Sequence, residues 1–187
     1  MEIRETLYVT NRKEWRSWLA KHYKTKKEIW IIYYKKHSGK QRIPYNDAVE
    51  EALCYGWIDS TAKRIDGARF AQRFSPRRQR SLLSIMNKER IKKLLKQKKM
   101  TAHGLKAVSH AFGRNKEDKF TIASDILKEL KRNKDAWVNF QKFPESYKRI
   151  RIGYIESQRR HSNELYKKSL QNFIKMTAKN KKFGMVK

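Results

Sequence analysis

Four residues of one hairpin carry the most chemistry in this sequence: Trp57, Asp59, Arg73 and Arg77. They lie in two strand-like runs, WIDSTAKR (57–64) and RFAQRFS (69–75), joined across Asp66-Gly67, a dipeptide that favours tight hairpin turns. Loop length decides which of them meet. A two-residue loop sets Arg64 opposite Arg69, two like charges, and puts Asp59 beside Phe74. A three-residue loop, Asp66-Gly67-Ala68, pairs Asp59 with Ser75 and makes Arg73 and Arg77 its diagonal neighbours. Ile58, Ala62, Phe70 and Phe74 then share the other face. A slip of one residue turns every side chain over, so the apolar pattern selects the three-residue loop. The expected site is a carboxylate between two guanidinium groups with Trp57 alongside. Such a cluster binds a small anion, positions a water, or simply ties two strands together.

Other reactive residue types are isolated. The seven glycines are too far apart for a phosphate-cradling loop, and the histidines at 22, 37, 103, 110 and 161 have no partner at metal-ligand spacing. No metal or cofactor is expected. Cys54 falls at the end of a helix, where it reads as a small buried hydrophobe rather than a nucleophile. Glu50 and Glu51 read as the solvent face of that helix.

The elements that hold these residues follow from periodicity and punctuation. Asn11 caps a helix over 12–22 with Trp15, Trp18 and Leu19 on one face. EIWIIYYK (28–35) is β-branched and aromatic throughout, as in a central strand buried on both faces. Pro44 opens a helix over 45–55 that Gly56 stops. Beyond Pro76 the period becomes helical. Helices are expected at 88–97, capped by Asn87, and at 102–112, capped by Thr101 and ended by Gly113. A linker follows at 114–119. Ile126, Leu130, Trp137 and Phe140 then mark one or two helices broken near Asn133. Pro144 starts the next, with Ile150 and Tyr154 inward. A last helix faces Tyr166, Leu170, Phe173 and Thr177 inward. The fold class is α+β: a small antiparallel sheet with packing helices over 1–113, and an all-helical region over 120–187.

Composition bounds the function. Forty-seven basic against 18 acidic residues give a net charge of +29 in 187 residues. Residues 1–87 carry +10 and residues 88–187 carry +19. A field of that sign attracts polyanions, so weak, salt-sensitive nucleic-acid association is expected, chiefly from the C-terminal half. The same lysines also serve as a solvated surface that keeps the protein soluble. No apolar run approaches the roughly 18–20 residues of a membrane span, and the opening MEIRETLYVTNRKEW has no apolar leader. With a single cysteine, the expectation is a cytoplasmic protein.

Several segments resemble the YdeI/OmpD-associated family, also described as bacteriocin-protection. They are EALCYGWIDS at 51–60, FAQRFSPRR at 70–78, and Ser81, Ser84 and Asn87-Lys88 after it. YKKHSGKQRIPYNDAVE upstream, RIKKLLKQKKMTAHGLKAV downstream, and FPESYKR and YIES near the C-terminus fit the same pattern. The sequence departs from it at Leu83, at 113–116 and at 162–164. The resemblance implies a stress or antimicrobial-protection factor that acts by binding, and it brings no catalytic residues. Two other readings stand beside it: a basic nucleic-acid-associated protein, and a small-molecule enzyme using Asp59, Arg73 and Arg77.

Overall fold

The apolar run becomes strand β2 (Ile29–Tyr34), an inner strand of a four-stranded sheet of order β1-β2-β4-β3. The computed structural model describes residues 2–112 and 120–184. Strands β3 (Trp57–Arg64) and β4 (Arg69–Pro76) form the expected hairpin, and β4 pairs antiparallel with β2. Strand β1 (Thr6–Leu7) pairs parallel with β2, so the sheet is mixed rather than purely antiparallel. Two residues are too few to show a period. The crossover that parallel pairing needs is helix α1 (Arg12–His22), capped by Asn11.

Alternation along β2 divides the sheet into two faces. Ile29, Ile31 and Tyr33 enter a core with Trp15 and Leu19 of α1, Val49 and Leu53 of α2 (Tyr45–Cys54), and Phe74 of β4. Trp30, Ile32 and Tyr34 alternate to the other face and are not part of that core. Gly56, with φ +72, follows α2 as its stop, in a backbone region that costs a side-chain-bearing residue strain.

The next helices differ from expectation at their starts and ends. Helix α3 is Ile85–Lys96 rather than 88–97, because Ser84 supplies the cap: its Oγ accepts from the Asn87 N–H at 3.2 Å. Asn87 is buried. Ile91 and Leu94 join the core, while Leu95 is exposed. Helix α4 is Ala102–Val108 and tightens into a 3-10 turn at Ser109–Ala111. The Thr101 hydroxyl accepts from the Gly104 N–H, as a cap should. It also donates to the Cys54 carbonyl at 2.7 Å, which fastens α4 to the end of α2. A Cβ on Gly104 would lie 2.1 Å from that carbonyl oxygen. Leu105, expected inward, is exposed. Gly113 and the linker at 114–119 lie outside the described residues.

The described residues divide into two compact units, 2–83 with 90–112 and 84–89 with 120–184. The second holds α5 (Ser124–Arg132), α6 (Lys134–Lys142), α7 (Glu145–Gln158) and α8 (Asn163–Ala178). Beyond residue 120 no strand occurs among the described residues. Asn133 separates α5 from α6 and caps the latter, and Pro144 precedes α7. Tyr166, Leu170, Phe173 and Thr177 are all buried, whereas Tyr154 is 46% exposed and not inward.

Candidate functional site

The hairpin combines both candidate registers. Near the turn, Arg64 pairs with Phe70 and Ala62 with Gln72, as a three-residue loop requires. Asp66 builds that loop, its carboxylate accepting the Ala68 and Arg69 N–H groups at 2.8 and 2.7 Å. Between Asp59 and Ala62 the ladder then slips. Ser60 and Thr61 together oppose Arg73, a β-bulge, and beyond it Asp59 pairs with Phe74 and Ile58 with Ser75. The expected Asp59–Ser75 pairing is therefore wrong, and so is the grouping built on it. Asp59 shares the core face with Phe74, and Arg73 stands on the opposite face, so Arg73 leaves the grouping while Arg77 still feels the Asp59 charge.

Each of the four hairpin residues has a definite place. Trp57 is fully buried, edge-on to Trp18 at 5.8 Å, with its Nε1 donating to the Tyr23 carbonyl. Arg73 grips Glu28, its Nε and Nη2 at 2.8 and 2.7 Å from Oε2, and its Nη1 is 3.3 Å from Ser60 Oγ. The bond from the Arg73 guanidinium lowers the Glu28 carboxyl pKa, against burial, which acts to raise it. Arg77 lies past the end of β4 and donates from Nη2 to Ser81 Oγ at 3.0 Å and to the Leu82 carbonyl at 3.0 Å. Asp59 accepts a short hydrogen bond from the Tyr45 hydroxyl.

The cluster that forms around Asp59 includes residues that the motif pattern alone does not bring together. Tyr45, at the first position of α2, meets Asp59. Burial, and then the bond to Asp59, push its hydroxyl pKa up, so it stays a donor. Arg90 of α3 donates to Asn46 Oδ1 at 2.6 Å and feels the charges of Asp59 and Glu50. Burial lowers the pKa of both Arg77 and Arg90, with Asp59 acting against it in each. Tyr33 is 2% exposed, and its hydroxyl has no hydrogen-bond partner among the described residues although the Asp59 charge acts on it. The buried Nε of Arg77 is likewise without an acceptor. The Asp59 carboxylate thus acts on two guanidinium groups beside two donors with no acceptor among the described residues, an arrangement suited to an acceptor-bearing or anionic ligand.

Glu50 and Glu51 form a second cluster. Both are buried, contrary to the solvent-facing expectation, because every residue from Ala48 to Cys54 is buried. Arg12 of α1 bonds to Glu50, and its Nε is 3.4 Å from Glu51 and 3.6 Å from Asp47. Arg16 reaches Glu51 at 2.7 Å and the Lys99 carbonyl at 3.0 Å. Cys54 is buried as expected, and burial pushes its thiol pKa up to about 11, away from nucleophilic use. Among the described residues, no group of three or more His, Cys, Asp or Glu side chains could hold a metal ion. No helix among them is long and apolar enough to cross a membrane.

Comparison with known families gives two matches that do not overlap. Residues 7–107 match a domain of unknown function, DUF8412, and residues 119–180 match the family described as bacteriocin-protection, YdeI or OmpD-associated. No curated protein and no solved structure gives a significant match. The Asp59 cluster thus falls within the DUF8412 match.

Proposed function

This chain belongs to the DUF8412 family and carries a YdeI/OmpD-associated segment at 119–180, and from that premise we propose that it is a protection factor acting by binding, with the Asp59 cluster as its ligand site. The observation that carries the reading is the pair of buried donors, the Tyr33 hydroxyl and Arg77 Nε, that find no acceptor among the described residues. Leaving such donors unanswered costs on the order of 1–3 kcal/mol each, a cost that an acceptor-bearing ligand offsets. Arg77 and Arg90 supply positive charge; bonds to Ser81 and Leu82 hold the first and a bond to Asn46 holds the second. The reading places the protein in the cytoplasm, whose reducing conditions suit its single thiol, and makes antimicrobial or bacteriocin stress the occasion for its use.

Survival of a bacteriocin-sensitive bacterial strain expressing the chain tests this. Expression is expected to raise survival. Asp59→Asn and Arg77→Gln, at matched soluble levels, are expected to abolish the gain. Protection that is absent, or that both variants retain in full, overturns the reading.

A further inference from the structure

The sheet face turned away from the core is the strongest feature that the Asp59 cluster does not use. We propose that this face binds single-stranded nucleic acid, with Tyr8 and Tyr34 as stacking surfaces and the 35–42 loop as the phosphate contact.

The face is assembled from the pairing register. Alternation puts Trp30, Ile32 and Tyr34 of β2 on it, and cross-strand pairing adds Arg73 beside Trp30 and Arg69 beside Tyr34. Trp30 and Ala71 are fully buried there, so the accessible part of the face is its Tyr34 end. The four helices of the same unit contribute their buried residues to the core on the other side. Tyr8 follows β1 and is 43% exposed, with its ring edge-on to Tyr34 at 5.2 Å. Lys40 Nζ lies 4.7 Å from the centre of the Tyr34 ring. Rings and cations therefore alternate across one end of the sheet, the combination by which sheet platforms hold unpaired bases and their phosphates.

Charge favours a polyanion at this end. Acids beside the face are already held: Glu28 by Arg73, Asp66 by Arg69 and Glu5 by Lys26, at 2.7 Å each. From residue 29 to residue 46 the sequence has no acidic residue but has Lys35, Lys36, Lys40 and Arg42. The loop that carries them is fixed in place. Its Lys35 N–H donates to the Ala68 carbonyl at 2.8 Å, and its Gln41 carbonyl accepts from the Tyr8 hydroxyl at 2.5 Å. The Ile43 N–H then bonds to the Val9 carbonyl at 3.2 Å. A fixed loop loses little freedom when it binds, and the Tyr8 tether ties the basic loop to one of the rings.

Single strands are favoured over duplex because only unpaired bases can open their faces to Tyr8 and Tyr34. Duplex DNA, or heparin, would engage the lysines alone. The bases contribute by stacking and the loop by counterion release, so the two terms separate experimentally.

The test titrates labelled oligo(dT) of about 12 nucleotides, with duplex of the same length and heparin as comparison probes, at two salt concentrations. Oligo(dT) is expected to bind more tightly than duplex. Tyr8→Leu with Tyr34→Leu should weaken oligo(dT) at least about tenfold with the salt dependence unchanged. Lys36→Ala with Lys40→Ala should instead make the salt dependence shallower, by about 0.7 of a log–log unit per lysine lost. Photocrosslinking of the wild-type protein to bromodeoxyuridine-substituted oligonucleotide is a second measurement that does not depend on a variant folding. Crosslinks are expected on peptides containing Tyr8 or Tyr34. Equal affinity for oligo(dT), duplex and heparin, indifference to the tyrosine pair, or crosslinks confined to α5–α8, overturns the proposal.

Discussion

Helix α2 supplies side chains to two polar clusters that differ in their balance of charge. Toward α1, Asp47, Glu50 and Glu51 meet Arg12, Arg16 and Lys93, three acids against three bases. Even Arg12 Nε, which makes no hydrogen bond, lies 3.4 Å from a Glu51 oxygen. Toward β3, Tyr45 and Asn46 meet Asp59, Arg77 and Arg90; the Asp59 carboxylate acts on both guanidinium groups, and Arg90 also feels Glu50. Two donors are left over on this side. The contrast separates a cluster whose groups satisfy one another, and which therefore serves the fold, from one that is incomplete without something else.

Four changes can break or sharpen that contrast. The largest effect is expected for Glu51→Gln. It leaves Arg12 and Arg16 short of a buried counter-charge and should destabilise the protein by about 3 kcal/mol in urea denaturation. A loss below about 1 kcal/mol would mean that the balanced cluster contributes no more than a surface pair does. Tyr45→Phe comes next: it removes one partly buried hydrogen bond and should cost about 1 kcal/mol by the same measurement.

A third, exposed cluster sets the scale for solvent screening. Asp125 accepts from Arg159 at 2.5 Å and from Tyr166 at 2.7 Å, and these bonds hold its pKa near about 2, below the ordinary 3.8. A folded pKa below the unfolded one stabilises the protein above the unfolded value, and that contribution fades as pH falls from about 4 to 2. With the Asp125 side chain half exposed, the expected contribution is under ~1 kcal/mol. The melting-temperature gap between wild type and Asp125→Asn should therefore be small at pH 6 and close by pH 2. The smallest effect is expected for Tyr33→Phe, which deletes a buried hydroxyl with no partner. Its stability should be unchanged or raised by up to ~1 kcal/mol, opposite in sign to Tyr45→Phe, although the two phenols share a neighbourhood.

Much of the fold was legible because it depends on local signals. Asn11, Thr101 and Pro44 mark helix starts in both sequence and structure, and the change of period after Pro76 separates sheet from helix. Strand β1 was invisible because two residues have no period. The cap of α3 was misassigned because Ser84 and Asn87 are both good capping residues, and Ser84 stands one residue before the helix. The site was legible in its residues but not in its grouping. Arg64 beside Phe70 argued for one register and Asp59 beside Phe74 belonged to the other, and a single register could not hold both. The polar pair Ser60-Thr61 in mid-strand was the available sign of a bulge. The buried Glu50 and Glu51 escaped because their partners, Arg12 and Arg16, lie more than 30 residues earlier and only tertiary packing brings them close.

That bulge also bears on how the protein behaves in a crowded solution. Strand β3 is one of the two outer strands of the sheet, with one rim of its backbone not paired to another strand among the described residues. A flat rim of eight residues is a template on which another chain can extend the sheet, the first step toward fibrils. Ser60 and Thr61 break the repeat halfway along it, and Lys63 and Arg64 put positive charge on the stretch that remains. An incoming strand could match only half the rim before falling out of step, and an identical chain would bring the same charges against it. The irregularity that turns Asp59 toward the core thus also limits the growth of the sheet beyond its fourth strand.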